Sequence, residues 1–297
     1  MKIAITGASG FIGSALSGRL EADGHTVLQI GRGPAGPGRL AWDPAAGHLD
    51  GARLEGFEAV VNLAGASLAS GRWSPARRHE LRASRIASTR LLSQTLAALD
   101  RPPAALLSAS AVGYYGDRGD EELTEASPAG TGFLADLCRD WEAETVPASD
   151  AGVRVVHLRT GIVLARSGGA LARQLPLFRL GLGGRLGSGR QVISWISLDD
   201  EVGAIVFAIG ADGLRGPANL SAPAPVTNAA FTAALGRVLR RPARLPVPGP
   251  ALRLVFGADL ADEALLGSQR ALPAALLAHG YRFEHGDVET ALRAAAA

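Results

Sequence analysis

Lysine and cysteine are almost absent from this chain of 297 residues. Lys2 is the only lysine, so 29 of the 30 basic residues are arginines, which stay protonated near neutral pH and cannot shuttle protons as an amine does. Cys138 is the only cysteine, which excludes an internal disulfide and a multi-cysteine metal site. A single cysteine is also typical of a reducing compartment.

Other features are scarce, and each scarcity argues against a class of protein. No apolar run approaches the roughly 18 residues of a membrane helix, and no long basic run of the kind that binds nucleic acids is present. The six histidines show no metal spacing, and the G-x-S-x-G elbow of serine hydrolases does not occur. We therefore expect a soluble, cytoplasmic protein with no membrane, nucleic-acid or metal partner.

Apolar residues and glycine are abundant instead. The chain is 47% hydrophobic and 20% charged, which is enough to bury a full core. Short apolar segments alternate with longer amphipathic ones, and this predicts an α/β, Rossmann-like, doubly wound parallel sheet. Strands are predicted at 2–6, 26–31, 56–63, 104–109, 153–158 and 218–221, and helices at 11–23, 74–99, 132–149 and 199–211.

The composition changes after Arg159. Residues 165–197 are rich in glycine and arginine, and residues 242–250 are rich in proline. We predict a nucleotide-binding core at 1–164, completed by about 198–221. A smaller C-terminal substrate lobe is predicted at 165–197 and 222–297.

Three glycines follow the first predicted strand with the spacing G-x-x-G-x-x-G. Between a strand and a helix, such glycines allow a sharp turn and a close approach to a pyrophosphate, which binds the N–H groups of the helix N-terminus. A tight structural turn is the alternative interpretation. The predicted dinucleotide-binding residues of this loop are Gly7, Ser9, Gly10, Phe11, Ile12 and Gly13.

The end of the second strand selects the dinucleotide. An acidic residue there binds the ribose 2′-hydroxyl of NAD, whereas arginine accommodates the 2′-phosphate of NADP. Arg32 follows this strand, so NADP(H) is favoured unless Arg32 is an ordinary solvated arginine. Asp43, at the end of a third strand, either faces the adenine or is a turn aspartate before Pro44.

With these residues in place, the chain resembles the short-chain dehydrogenase/reductase superfamily of extended or atypical type. The resemblance rests on the glycine triplet, on NLAG at 62–65 and on SASAVGYYG at 108–116. It implies that Leu63, Ala64 and Gly65 contact the cofactor.

More narrowly, the chain is similar to the atypical group known as the epimerase family. The supporting stretches are GRW at 71–73, SRI at 84–86, FLADLC at 133–138, WE at 141–142 and QVISWI at 191–196. Residues 265–283 resemble the small C-terminal domain of that group, which we place at 248–295.

The usual chemistry of the superfamily requires a Tyr-x-x-x-Lys pair, which cannot form here because Lys2 is the only lysine. The resemblance places Leu134 at the tyrosine position and Cys138 at the lysine position. It also implies that the upstream serine is retained as Ser110 and that the helix asparagine is replaced by Arg85.

Four residues are therefore predicted to carry chemistry: Ser110, Tyr115, Cys138 and Arg85. Ser110 would hydrogen-bond a substrate carbonyl, and Tyr115 or its neighbour Tyr114 would donate a proton. A turn hydroxyl and a packed aromatic pair are the alternatives. Cys138 lies within a predicted helix, where an inert buried thiol is favoured over a reactive one.

Arginines crowd the segment that follows Gly65, at the edge of the predicted sheet where ligands bind. They either bind an anionic ligand or form a solvated helix face. The six residues are Arg72, Arg77, Arg78, Arg82, Arg85 and Arg90.

The sequence thus predicts an NADP(H)-binding oxidoreductase that acts on a small carbonyl or sugar-like substrate, which is anionic if the arginines bind it. A non-catalytic NADPH-binding or sensing protein is the alternative from another class. A nucleotide-sugar epimerase or dehydratase is weaker, because those reactions also use the missing tyrosine. Monomer and homodimer both stay open.

Overall fold

A mostly parallel sheet forms the centre of the computed structural model, which describes residues 1–296. The strands are β1 (Lys2–Thr6), β2 (Thr26–Gly31), β3 (Arg39–Asp43), β4 (His48–Leu49), β5 (Ala59–Asn62), β6 (Ala105–Ala111), β7 (Glu122–Leu123), β8 (Arg154–Thr160), β9 (Ile162–Leu164), β10 (Val192–Ile193), β11 (Trp195–Ser197), β12 (Gly216–Leu220), β13 (Val226–Thr227) and β14 (Arg270–Ala271). Eight of them form one sheet in the order β12-β8-β6-β5-β1-β2-β3-β4, parallel throughout except for the β3–β4 hairpin. The predicted fold class is confirmed.

Helices cover both faces of this sheet. They are α1 (Phe11–Ala22), α2 (Pro75–Ala97), α3 (Phe133–Ala143), α4 (Val146–Asp150), α5 (Gly169–Arg179), α6 (Leu198–Gly210), α7 (Asn228–Leu239), α8 (Gly249–Phe256), α9 (Ala258–Leu260), α10 (Ala274–Ala278) and α11 (Val288–Ala296). The alternation of strand side chains separates two cores. Ile3 and Ile5 face the core shared with α1 and α6, whereas Ala4 faces the core shared with α2 and α4.

Most predicted elements agree with the structure to within a few residues, and the helix predicted at 132–149 is the main exception. It is two helices, α3 and α4, separated at Glu144 and Thr145. Pro147 lies in the first turn of α4 and has no N–H group to continue a preceding helix. The break therefore has a local cause.

Helix α5 was not predicted, because it lies within the glycine-rich segment 165–197. Leu171, Leu175 and Phe178 are its buried residues, at helical spacing. They form a third core with residues from β9, β11, α7 and α11. The glycines that flank α5 obscured its apolar face.

The C-terminal segment packs in two places. Helix α11 joins the third core, whereas Leu276 of α10 lies in the sheet core beside α6. Strand β14 pairs with β7, which follows β6 in the chain. The structure therefore divides residues 222–296 between the predicted lobe and the nucleotide-binding core.

Candidate functional site

The strand order reverses at β1, which has β2 on one side and β5 on the other. In doubly wound sheets, ligands bind outside the carboxyl ends of the strands at such a point. The loop 7–10 after β1 and the loop 63–65 after β5 meet there. Both were predicted to bind the cofactor.

Each glycine of the first loop is required for a different reason. Gly7 has a φ of +69°, and a Cβ there would lie 2.8 Å from the carbonyl of Leu63. A Cβ on Gly13 would overlap the carbonyl oxygen of Gly7. A Cβ on Gly10 would meet only that same oxygen, at 3.1 Å, and otherwise open space. Gly10 thus leaves room for a pyrophosphate, as the predicted role requires.

Helix α1 begins directly after this opening. Its N-cap is Gly10, so no side chain caps the first turn, and its N–H groups remain available to an anion. Ser9 is exposed, and Ile12 packs partly buried against the sheet core. The Phe11 ring packs against Gly168 and Gly169 at the start of α5, which brings the lobe against the loop.

A buried hydroxyl holds the second loop in place. Thr6 Oγ1 accepts hydrogen bonds from the N–H groups of Leu63 (3.1 Å) and Ala64 (3.2 Å), and the Thr6 hydroxyl donates a hydrogen bond to Asn62 Oδ1 (2.7 Å). The Asn62 amide donates in turn to Thr89 of α2 (2.8 Å). Backbone and side-chain bonds therefore fix both loops before a ligand arrives.

The end of β2 carries two arginines rather than one. Arg32 is exposed and pairs with no carboxylate among residues 1–296. The Arg39 guanidinium lies against the backbone of Gly31 and Gly33, and it also lacks a carboxylate partner within those residues. Arg39 was not among the predicted cofactor residues. It is the first residue of β3, and only the parallel pairing of β3 with β2 places it near the end of β2.

Asp43 ends β3, as predicted. Its Oδ1 accepts the N–H groups of Ala45 (3.0 Å) and Ala46 (3.2 Å), which is the geometry of a turn aspartate. The structure therefore favours the turn interpretation over a contact with adenine.

Ser110 lies near the end of β6, opposite Arg159 of β8. Its hydroxyl donates to Glu142 Oε1 (2.7 Å), and Arg159 binds both carboxylate oxygens of Glu142, at 2.8 and 2.9 Å. The Arg159 side chain is 4% exposed, and the ion pair with Glu142 raises its pKa against the effect of burial. Sequence reasoning missed this pair, although an arginine in the apolar strand β8 was a signal.

Tyr115 is fully buried in the same network. Its hydroxyl donates to Asn219 Oδ1 (2.7 Å) and accepts from Arg159 Nη1 (3.1 Å), and burial raises its pKa. The Arg159 guanidinium stacks on the ring of the neighbouring Tyr114, with Cζ 3.5 Å from the ring centre. A proton donor must present its hydroxyl to the substrate, so this placement argues against the predicted catalytic role of Tyr115.

Cys138 is 2% exposed on α3, and burial raises its pKa to about 12. The thiolate is therefore not formed near neutral pH, which argues against the predicted catalytic role. Leu134, one turn earlier, packs against Gly113. The two side chains that the resemblance places at the positions of the Tyr-x-x-x-Lys pair are therefore packed.

Arg85 differs from the other arginines of its segment. The others are paired: Arg77 with Glu80, Arg78 with Asp259, Arg82 with Asp140, Arg90 with Glu144, and Arg72 with the carbonyls of Leu254 and Val255. Arg85 is buried and has no carboxylate partner among residues 1–296. It lies against Gly65 and over the Trp141 ring.

Two features are absent from the described residues. No group of three or more metal-ligating side chains occurs in residues 1–296. Within the same residues, no helix is long and apolar enough to cross a membrane.

A doubly wound sheet with a glycine loop before its first helix defines a dinucleotide-binding protein of the Rossmann type. A family model narrows this class. The chain belongs to the NAD dependent epimerase/dehydratase family, whose model matches residues 3–217. A second model, Domain of unknown function (DUF1731), matches residues 247–295.

Full-length relatives agree with this assignment. Epimerase family protein Mb2239 of Mycobacterium bovis is 53% identical over 291 residues, which cover 98% of this chain and 96% of that protein. Epimerase family protein SDR39U1 of Homo sapiens is 37% identical over 296 residues, which cover 99% of both chains. The resemblance found in the sequence is confirmed.

Solved structures are similar over the same length. The human epimerase family protein SDR39U1 (isoform 2), solved with NADPH, has a TM-score of 0.92 at 36% identity and covers 100% of this chain and 99% of its own. A nucleoside-diphosphate sugar epimerase from Corynebacterium glutamicum has a TM-score of 0.80 at 37% identity, over 99% of this chain and 58% of its own.

Proposed function

We propose that this protein is an NADP(H)-dependent oxidoreductase that acts on a small carbonyl or sugar-like compound. The observation that carries the proposal is the arginine pair at the end of β2. Arg32 and Arg39 face no carboxylate there, which suits a 2′-phosphate. The NADPH in the human relative supports the same choice.

The residues present fit this cofactor. The open space over Gly10 and the uncapped start of α1 would hold the pyrophosphate. Arg32 and Arg39 would hold the 2′-phosphate, and the loop 63–65 would line the other side. When bound, the dinucleotide gives or accepts a hydride at its nicotinamide ring.

Ser110 is proposed to contact the reacting oxygen of the substrate. Because its hydroxyl donates to Glu142, its oxygen is left as an acceptor, which suits a substrate hydroxyl. To donate to a carbonyl, the Ser110 hydroxyl must rotate away from Glu142. Glu142 and Arg159 act through Ser110 and are positioning residues.

The cofactor choice is tested by titrating NADPH and NADH against wild type, Arg32→Ala and Arg39→Ala. Charge-assisted hydrogen bonds contribute about 1.5–3 kcal/mol each, or roughly ten- to a hundredfold in affinity. Each variant should lose that much NADPH affinity and almost no NADH affinity. Arg53→Ala, an exposed arginine of another turn, is the control. Equal affinity of wild type for the two dinucleotides would refute the proposal.

A non-catalytic NADPH sensor is the second candidate, and one observation favours it. Leu134 and Cys138, which the resemblance places at the positions of the superfamily's reactive pair, are packed. Incubating the NADPH-bound protein with a panel of carbonyl compounds separates the two functions. Oxidation of NADPH with any compound supports the oxidoreductase, and tight binding without turnover supports the sensor.

We propose a small-molecule substrate as a partner besides the cofactor, and no nucleic-acid or membrane partner, with monomer and homodimer both left open. The cytoplasmic location expected from cysteine scarcity also stays a prediction. The SDR39U1 homolog of Arabidopsis thaliana is chloroplastic, so the family is not confined to the cytoplasm.

A further inference from the structure

The Arg85 guanidinium is a buried cation without an anion. The residue is 8% exposed, and no carboxylate lies within 4.0 Å of it in residues 1–296. Its surroundings offer only weak compensation. Nη1 donates to the carbonyl of Leu81 (3.1 Å), and the guanidinium lies 5.1 Å from the centre of the Trp141 ring.

Burial of an unpaired charge opposes folding, since the group loses its hydration and gains no ion pair. The effect is visible in the pKa of Arg85, which burial lowers to about 10. The group nevertheless stays protonated at neutral pH. The five other arginines of this segment have partners, whereas Arg85 is buried, charged and without an anion. Stability does not explain this arrangement, so Arg85 has a functional role.

The free edge of the guanidinium points to a particular ligand. With Nη1 bonded to Leu81, the Nε and Nη2 donors form no hydrogen bond within residues 1–296. Neither is fully shielded from solvent. Two parallel N–H groups on one edge match the two oxygens of a carboxylate.

This edge lies beside both parts of the site. A Cβ built on Gly65, in the second cofactor loop, would be 3.3 Å from Arg85 Cζ and 3.4 Å from Nη2. On the other side, the guanidinium lies over the ring of Trp141 in α3, the residue before Glu142, and Glu142 accepts the hydrogen bond of Ser110. Arg85 therefore contacts both the second cofactor loop and α3, the helix whose Glu142 holds the residue proposed to contact the reacting oxygen.

We propose that Arg85 binds a carboxylate group of the substrate, so that the protein acts on small carboxylic acids that carry a carbonyl or hydroxyl group. The inference rests on the proposed function for the existence of a substrate. It concerns binding alone and requires no further reactant.

Oxalate is a suitable probe, because it presents a planar carboxylate and carries no reducible ketone. Its binding is measured as the rise in Tm with oxalate concentration and by isothermal titration calorimetry, with and without saturating NADPH. Wild type is compared with Arg85→Met, Arg85→Lys and Arg82→Met. Arg82 is the matched control, since it lies on the same helix but is exposed and paired with Asp140.

Oxalate should raise the Tm of wild type and Arg82→Met, and its affinity for Arg85→Met should be at least tenfold weaker. Arg85→Lys should bind oxalate with intermediate affinity, because lysine keeps the positive charge but lacks the two parallel N–H donors of the guanidinium. Without oxalate, the Tm of Arg85→Met should equal or exceed that of wild type, since an unpaired buried charge has been removed.

Two results would overturn the inference. One is oxalate binding that is absent from wild type or unchanged in Arg85→Met. The other is a tenfold or larger loss of NADPH affinity in Arg85→Met, which would assign Arg85 to a cofactor phosphate. Failure of the proposed function looks different, because wild type would then bind NADPH without oxidising it in the presence of any carbonyl compound, whether or not it bound oxalate.

Discussion

The two ends of the site lie along one edge of the sheet and are built differently. At the phosphate end, the backbone of residues 7–13 forms the site, and glycines provide its shape. At the reacting end, side chains form it. Ser110, Glu142 and Arg159 come from β6, α3 and β8, and Arg85 comes from α2.

This difference explains why the glycine loop was recognised from the sequence and the Glu142–Arg159 pair was not. A backbone site needs a few residues at short, regular spacing, and such spacing is visible in a sequence. A side-chain site needs partners that are distant in the chain and meet only through strand pairing and helix packing. Glu142 and Arg159 were therefore missed, and Tyr115 was given a role that its burial argues against.

The largest expected effect tests the phosphate end. Gly10→Asp should abolish dinucleotide binding, because the side chain fills the open space and its charge repels phosphates at the start of α1. The fold should persist, since the new side chain meets almost nothing else. Circular dichroism and a cofactor titration measure both properties. Retained binding would show that the loop is only a structural turn.

At the reacting end, the largest expected effect is on stability. Arg159→Met removes the permanent cation beside the nearly buried Glu142 carboxylate and leaves it the Ser110 hydroxyl and the His157 ring, whose Nδ1 lies 3.7 Å away. Removing the charged partner of a buried ion pair typically costs about 3–5 kcal/mol in the free energy of unfolding. Arg82→Met, which breaks an exposed ion pair, should cost no more than about 1 kcal/mol. Urea denaturation measures both. Similar values for the two variants would contradict the network described here.

A third test uses pH and the carboxyl group of Glu201, which lies beside β8, the strand that also carries Arg159. Glu201 on α6 is fully buried, accepts a hydrogen bond from Thr160 (2.9 Å), and burial raises its pKa from 4.5 to about 8. Its proton therefore contributes stability that is fully present below about pH 4.5 and is lost as the pH rises to about 8.

The slope of that loss is at most about 1.4 kcal/mol per pH unit. Glu201→Gln should lack it, so the variant should gain stability relative to wild type between pH 5 and 8. Urea denaturation across this range provides the measurement. Parallel pH profiles of the two proteins would mean that Glu201 is already ionised in the fold.

The fourth test concerns chemistry at the reacting end. Ser110→Ala should lower kcat by about a hundredfold, because one hydrogen-bonding group at the developing charge is lost. NADPH affinity should barely change, since the phosphate loop is untouched. Steady-state kinetics with a substrate found in the carbonyl screen measure kcat. An unaffected kcat would remove Ser110 from the site.

The smallest effect is expected for Cys138→Ser. The thiol is buried and its pKa is about 12, so we expect kcat close to that of wild type. Native protein at pH 8 should also resist alkylation by iodoacetamide, and unfolded protein should react. Rapid alkylation of the native protein, or an inactive variant, would place a reactive thiol at the site after all.

Within the fold, the same distinction between local and distant information holds. Strands β1 and β2 and helix α1 were predicted almost to the residue, because their apolar spacing and their flanking glycines are local signals. Helix α5 was hidden by the glycines around it. The division of residues 222–296 between two cores depends on packing against distant strands, which no local pattern records.

By itself, the sequence determined the parallel sheet, the phosphate loop and the loss of the Tyr-x-x-x-Lys pair. Those features depend on residue type and short spacing, and a chain with one lysine offers no second choice. Tertiary structure alone decided which arginines are paired, that Arg39 lies near the end of β2, and that Arg85 is buried without an anion in the described residues. The physical reason is that charge pairing and desolvation depend on distance in space, and the fold sets that distance.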